Sequence, residues 1–467
     1  MNDTIDLVVY GFPIKPSSIQ HDSTFYQAKS YTTLSILREY IPTNPRIAPS
    51  GSLIHGGLNP SVQTAWSVYL LAMTLTFHWF LPTSGDSRGI VGGGHGSVIR
   101  SGSRTLDLRY LKQLALAAET NGFESVLTPT GAWCEDAWLT DVALIDATER
   151  LKFLVALRPG LVSPTLSAQM AATFQRYSEG RLLINVVTGG EDREQRAYGD
   201  FLNKAERYER CAEFLDIVSK LWRGENVTHQ GKHLQVDNAV LNNPPEIIPP
   251  IYFGGSSQPA GDVAARYADT YLTWGEPPAA VEEKLNWINT LASENDRSPE
   301  HGIRFHVIAR DSSAEAWAVA EKLLDGITPE KVDAAQAGLA SSQSEGQRRM
   351  SALHGRGTGF TANTTARDLE IYPNLWTGVG LIRGGAGTAL VGSYAEVADR
   401  IIEYSNLGLS HFIFSGYPDL EEAFHFGEGV VPHLLARGID VKNHARPSSA
   451  SDTDTTPFIP QEALAAR

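Results

Sequence analysis

A chain of 467 residues with 42% hydrophobic content is long enough to bury one large α/β core or two ordinary ones. Its formal net charge of −14, with 20% charged residues, argues against a general nucleic-acid or acidic-membrane partner, so any anion it takes must be caught by a local site. Two cysteines, Cys134 and Cys211, form neither a disulfide framework nor a metal-ligand spacing, which suits a reducing, cytoplasmic compartment.

Residues 1–74 contain scattered Pro and Ser and show no periodicity, and they are expected to form a poorly ordered appendage. Met1 to Tyr10 lacks the basic flank and sustained apolar core of a cleavable signal. The run Ala65 to Pro82 is near the minimum length of roughly 17 residues that a membrane span needs. It carries His78 and several Thr and Ser and ends in the turn-like PTSGD, so its second half reads instead as a buried first strand.

From residue 75 onward, apolar strand-like runs alternate with longer amphipathic stretches. The expected strands are Leu75–Pro82, Phe123–Pro129, Phe153–Leu157, Leu182–Thr188, Ile251–Gly255, Thr270–Trp274, Ile303–Arg310 and Ser410–Ser415. Helical patterns lie between them, at Leu106–Asn121, Asp136–Ala147, Leu166–Ser178, Lys204–Arg223, Pro277–Glu294, Ala314–Leu324 and Ala395–Leu407. Eight strands separated by helices predict a (β/α)8 TIM barrel with its site at the C-terminal strand ends. A doubly wound open sheet is the alternative, and it would need a Gly-rich fingerprint after the first strand.

The predicted strand ends are polar or glycine-rich: PTSGD, TPTGAWCED, RPG, TGGE, GGSS, WGEPP and SGYPD. A loop-built site reads this way, although ordinary turn chemistry uses the same residues. Two insertions interrupt the alternation. Residues 224–249 contain HQGKHLQV, the pattern of a short hairpin. Residues 326–394 are longer and glycine-rich, and are expected to form a long mobile loop before the last strand, a lid that delivers Arg383 from between Gly380 and Gly384. The plainer alternative is a tether whose arginine is merely solvated. The domain is thus expected to span 75–440, with a flexible tail over 441–467.

The segment GIRFHVIARD, Gly302 to Asp311, carries the strongest site signal. Period-two alternation puts Phe305, Val307 and Ala309 on one face, and Arg304, His306, Ile308 and Arg310 on the other. Two guanidiniums and an imidazole turned into a fold need an anion to meet them, a bound one or an internal carboxylate, unless the strand end lies in solvent. The GGSS turn, Gly254 to Ser257, has the donors to cradle a phosphate at a helix start, and generic capping would use the same serines.

Over His78 to about Leu435 the chain resembles the flavin-dependent alkanesulfonate monooxygenases of the bacterial luciferase-like superfamily. The matching segments are HWFLPT, CEDAWL, RLKFLVALRP, INVVTGG, YFGGSS, YLTWGEPP, IRFHVIAR, NLWTGVGLIRGGAGTALVG and SGYPDLEEA. The resemblance implies that reduced FMN arrives from a separate NAD(P)H-dependent reductase and reacts with O2. The C–S bond of an alkanesulfonate is then cleaved to an aldehyde and sulfite, by an enzyme that the family suggests is a homotetramer. It further implies Arg304, His306 and Arg310 at the sulfonate, with His306 as a base toward the carbon beside sulfur. Arg383 is the matching loop arginine, Tyr417 the active-site tyrosine and Cys134 a cysteine near the flavin. Trp274 is an apolar wall, and Asn185, Tyr208, Gly254, Gly255, Ser256 and Ser257 hold the flavin. Cys134 as an inert small hydrophobe and Trp274 as barrel packing remain open readings.

In one place the chain departs from the family. Ser84 stands where the family usually has His after the first strand, as a substrate-side residue, and the following GDSRGIVGGGHGSVIRSGSR is longer and glycine-rich, with His95 unplaced. A sister chemistry on a sulfone, a nitrogen chelator or a long alkane, or a non-catalytic flavin-binding barrel, remain alternatives. No dinucleotide fingerprint is present, so nicotinamide binding is not expected.

Overall fold

The computed structural model describes residues 74–90, 104, 107–357 and 359–444. The chain divides into two units, Met1–Gln63 and Thr64–Arg467, and all described residues belong to the second. The expectations for the appendage before Thr74, for His95 and for the tail beyond His444 lie outside the described residues.

Eight parallel strands close into a barrel. They are β1 (Thr74–Phe80), β2 (Ser125–Thr128), β3 (Lys152–Leu157), β4 (Leu182–Val186), β5 (Ile251–Gly254), β6 (Thr270–Trp274), β7 (Glu300–Arg304) and, after four further strands outside the barrel, β10 (His411–Phe414). Each pairs with its neighbour in parallel, and β10 pairs back with β1, Thr76 opposite His411. The helices between them include α1 (Leu108–Thr120), α2 (Pro164–Ser178), α3 (Lys204–Trp222), α4 (Gln258–Tyr267), α5 (Pro278–Ser293) and α6 (Ser313–Leu323). Local rules set their ends: Asp107 and Ser163 cap α1 and α2, Pro164 opens α2, and Asn203 with Glu206 forms a capping box on α3. Phe77 and Trp79 on β1 and Phe153 and Val155 on β3 pack outward under the helices in the main core. The inward face carries a layer of Leu127, Leu154, Leu183, Tyr252 and Ile413, closed by Phe80 and Leu272. The barrel is thus filled, as side chains from neighbouring strands stack in its lumen.

The predicted strand Ile303–Arg310 is in fact two. The barrel strand β7 ends at Arg304, and His306–Arg310 (β8) joins another sheet, parallel to β9 (Ala389–Ser393), with His306 opposite Ala389. The switch occurs at Phe305, whose N–H still bonds Ile413 at 3.0 Å while the N–H of His306 turns to Thr388 at 2.9 Å. Gly275 makes room for it, because a Cβ there would come within 2.0 Å of the Phe305 ring. Alternation continues through the break, so the sequence pattern does not reveal it.

Residues 326–394 are not the long loop expected from their glycine content. They form α7 (Pro329–Leu339), α8 (Glu345–Leu353) and two short antiparallel strands, Glu370–Tyr372 and Leu375–Trp376, that extend the β8–β9 sheet. Thr328 and Ser344 cap the helices. The segment is tied down by Gln336, which donates to the carbonyls of Gly380 and Leu381 at 2.9 and 2.8 Å, and by Gln347, which accepts from the Gly385 N–H at 2.9 Å. The predicted hairpin in 224–249 is present, Val227–Gln230 against Gln235–Ala239. At the other end of the chain, Asp440–Val441 pairs with Thr74 and Leu75, so the ordered domain runs past residue 440.

Candidate active site

Two adjoining cavities open at the C-terminal strand ends, where a barrel carries its chemistry. The larger, about 320 Å³, is lined by Asn185, Tyr208, Gly254, Gly255, Ser256, Ser257 and Trp274 among others. The smaller, about 210 Å³, is lined by Asp86, His306, Arg383, Tyr417 and Asp419. Phe80, Trp133, Trp274 and Arg304 face both.

Arg304 ends β7 in the barrel lumen. Its guanidinium lies 4.4 Å from the Phe80 ring centre, and Nη2 donates to Ser415 Oγ at 3.2 Å. Nη1 is enclosed and has no hydrogen-bond partner. Burial pulls its pKa down to about 10, against the opposing pull of Asp419 and Tyr417. A guanidinium stays charged at working pH, so the site holds a cation with an unused donor, the arrangement that seeks an oxyanion.

His306 has both ring nitrogens engaged. Nε2 lies 3.0 Å from the Ala386 carbonyl, which can only accept, so Nε2 carries the proton. Nδ1 therefore accepts from the Ser415 hydroxyl at 2.7 Å, and the run Arg304 to Ser415 to His306 to Ala386 has one direction of donation. Burial, then the charges of Arg304 and Arg383, hold the ring pKa well below its ordinary value. This imidazole is neutral and fully bonded, so it orients Ser415 and stands as no free base where it lies. Sequence reasoning missed Ser415; its only signal was a hydroxyl at the end of the eighth barrel strand.

Tyr417 stacks on His306 at 5.2 Å and lies under the Arg383 guanidinium at 4.8 Å. Arg383 is 9% exposed, and its Nε donates to the Ile90 carbonyl at 2.9 Å, which ties the insertion to the loop after β1. In that loop Asp86 accepts from the Asp419 and Ser87 N–H groups at 2.9 and 2.8 Å, and from the Tyr110 hydroxyl. Burial raises both Asp86 and Asp419, and the proximity of Asp86 raises Asp419 further. Trp274 also packs against the insertion, since a Cβ on Gly346 of α8 would come within 3.0 Å of its ring. Beside it, Glu276 receives Arg349 of α8 at 2.6 Å and Lys284 of α5, two cations on one buried carboxylate.

At the larger cavity, α4 starts with Ser257 in the capping position, yet its side chain makes no cap hydrogen bond and Oγ is enclosed without a partner. Gly255 admits no side chain, as a Cβ would meet that of Ala260 at 2.5 Å, and Tyr271 fixes the Gly255 carbonyl at 2.6 Å. Backbone N–H groups, a helix N-terminus and an unused hydroxyl form a cradle that fits a phosphate.

Three expected site residues fall elsewhere. Arg310 donates to Glu422 at 2.8 Å, so its charge is met by the internal carboxylate that the sequence left open, and it lines neither cavity. Cys134 lines neither cavity; its Sγ turns to the Gly131 carbonyl at 3.4 Å, burial pushes the thiol up to about 11, and Trp133 takes the cavity wall. Ser84 is buried and off both cavities, while its neighbours Gly85, Asp86 and Ser87 line the smaller one. Among the described residues no cluster of metal-binding side chains is present and no helix is long and apolar enough to cross a membrane.

The family model for luciferase-like monooxygenases matches residues 75–411, and the chain belongs to that family. Among solved structures it is similar to a riboflavin lyase with modified FMN and riboflavin, at 21% identity over 80% of this chain and 94% of that one, TM-score 0.64. It is also similar to the EDTA monooxygenase of Chelativorans sp. BNC1, at 18% identity over 78% and 94%, TM-score 0.62. A long-chain alkane monooxygenase matches at 20% identity over 79% and 92%, TM-score 0.59. At such identities the likeness is one of fold.

Proposed function

We propose that this protein is a two-component flavin-dependent monooxygenase that takes reduced FMN from an NAD(P)H-dependent reductase and cleaves the C–S bond of an alkanesulfonate with O2. One oxygen atom ends in the aldehyde and the other in water, the carbon–sulfur bond breaks, and sulfite leaves. Reduced flavin supplies the activation of dioxygen when bound. The larger cavity suits it, with the phosphate at Gly254 to Ser257 and Tyr208 and the ring along Asn185 and Trp274.

The observation that carries the substrate reading is the enclosed, unpartnered Nη1 of Arg304 between the two cavities. Arg304 and Arg383 face the smaller cavity together and supply charge for one anionic head, while Phe80, Trp133 and Trp274 offer walls for an alkyl tail. An alkane would leave that donor unmet, at a desolvation cost with no return, and a sulfone would give it an acceptor without a countercharge. A volume of about 210 Å³ is small beside ordinary ligand pockets of roughly 300 Å³ or more, so bulky chelators and long chains fit poorly. Packing by α8 and the Arg383 segment keeps bulk water off the reacting atoms.

Sulfite release from alkanesulfonates of increasing chain length, with a reductase, NADPH and FMN supplied, tests this. Turnover is expected on short chains and to fall off as the tail outgrows the cavity. Flavin-dependent oxygen uptake without sulfite from any sulfonate would reject the substrate and retain the monooxygenase.

A further inference from the structure

Arg158 follows the last residue of β3, and its hydrogen bonds leave part of it unexplained. Nη2 donates to Glu194 at 2.9 Å and to the Thr130 carbonyl at 3.1 Å, and the guanidinium sits 5.4 Å from the Tyr198 ring centre. The side chain is 8% exposed, and both Nε and Nη1 are enclosed without a partner. It lines the larger cavity. A guanidinium presents a rigid fork of donors, and two buried N–H groups left unmet call for an acceptor that the protein itself does not provide.

The barrel register shows where that acceptor lies relative to the phosphate cradle. Leu157 is opposite Val186, and Val186 is opposite Phe253, so Arg158 and Gly254 stand at one level on strands separated only by β4. Two strand spacings amount to about 10 Å between the backbones. The cradle at Gly254 to Ser257 and the fork of Arg158 are thus two acceptor-seeking points in one cavity, with Asn185 on the strand between them. Flavin mononucleotide has two electron-rich ends joined by a ribityl chain, its phosphate and the N1–C2 carbonyl edge of the ring. Reduction places negative charge on the second. Glu194, which lines the same cavity, takes Nη2 of the guanidinium and leaves two donors for the ligand.

We propose that Arg158 is the binding partner of the N1–C2 carbonyl edge of the flavin, and that it makes this site favour reduced over oxidised flavin. This rests on the flavin reading above, and the phosphate is the other acceptor the same fork would accept.

Anaerobic titration of the full-length protein by tryptophan fluorescence, with FMN and riboflavin each oxidised and dithionite-reduced, separates these. Arg158→Gln is expected to weaken reduced FMN by about tenfold to a hundredfold, the loss of a charge-assisted pair, and oxidised FMN far less. Reduced riboflavin is expected to lose as much as reduced FMN. Each tenfold fall in the ratio of reduced to oxidised affinity lowers the midpoint potential of bound flavin by about 30 mV. Arg158→Lys keeps a charge for Glu194 but lacks the planar fork, and is expected to shift the same way, so the test survives if the Gln variant fails to fold. Wild-type affinity for reduced FMN in both variants overturns the proposal, and so does a loss seen with FMN but absent with riboflavin. A wild-type protein that binds no reduced flavin overturns the flavin reading itself, and this inference with it.

Discussion

Replacing Arg304 by Met separates the stability of the fold from its activity. Burial that pulls the Arg304 pKa down to about 10 also means that the charged side chain opposes folding, because the cation is better solvated in the unfolded chain. The depression from the ordinary value corresponds to about 3 kcal/mol at 1.36 kcal/mol per unit, present at every pH below about 10. Met removes that cost and fills much of the volume. It forfeits the contact over Phe80, worth about 0.5–2 kcal/mol, and the bond to Ser415, worth about 1 kcal/mol. The two sides nearly cancel, so calorimetry should find a midpoint unchanged or raised by about 2 °C. Activity should behave differently. One or two charge-assisted bonds to the proposed sulfonate, each about 1.5–3 kcal/mol, put the loss in kcat/KM at roughly tenfold to ten-thousandfold. A variant destabilised by several kcal/mol would show that Arg304 holds the fold together, and one with wild-type turnover would move the anion site elsewhere.

Cys134 should react slowly with a thiol reagent at pH 8, since burial keeps it protonated to about 11, and Cys134→Ala should retain sulfite release within about threefold. For His306, burial holds the folded pKa well below that of the unfolded chain, so its contribution to stability is intact above about pH 6.5 and is lost as pH falls below it. Below that point His306→Gln should show a stability-against-pH slope shallower than wild type by about 1.4 kcal/mol per pH unit in denaturant titrations; equal slopes would mean that the folded ring takes up a proton. Arg349→Ala removes one of the two cations on Glu276 and loosens α8 from β6. Limited proteolysis should then cut residues 341–364 faster than in wild type, and an equal rate would show that the ion pair does not hold the segment down.

What the sequence could show was governed by whether a feature is local. Strand alternation and glycine-rich strand ends are local, so the barrel and the turn at Gly254 to Ser257 that starts a helix were legible, as was the inward aim of Arg304. The break at Phe305 was hidden because period two runs unbroken from β7 into β8 while the hydrogen-bond partner changes from β10 to β9. In residues 326–394 the glycines outweighed the signals that mattered, Thr328 with Pro329 and Ser344 with Glu345, which start helices. Arg310 and Arg158 look alike as strand-end arginines. What separates them is Glu422, 112 positions away, which accepts from Arg310, against Glu194, which leaves two nitrogens of Arg158 unmet. Such bookkeeping depends on distant residues that no spacing rule brings together.

The lumen of the barrel also constrains how protons reach the site. Below the layer of Leu127, Leu272 and Ile413 a second polar chain runs from Ser125 through His78 and His411 to Glu300, with contacts of 2.7, 3.0 and 2.8 Å. The carboxylate of Glu300 only accepts, so His411 donates to it from Nε2, accepts from His78 on Nδ1, and leaves the Nδ1 of His78 to accept from Ser125. With that assignment donation runs downward, away from the cavities, and burial keeps His78 neutral. Ser125 is fully buried and ends the chain on one side, and a branch reaches the hydroxyl of Tyr252 in that layer, 3.4 Å from His411 Nδ1, which lines neither cavity. A proton lost from substrate above that layer has no hydrogen-bonded path down through the described barrel. It has to leave by the mouth, past Arg383, Tyr417 and α8. The elements that exclude water during oxygen chemistry are then the same ones that control proton exchange, so a variant that loosens α8 should change the pH dependence of turnover as well as its efficiency.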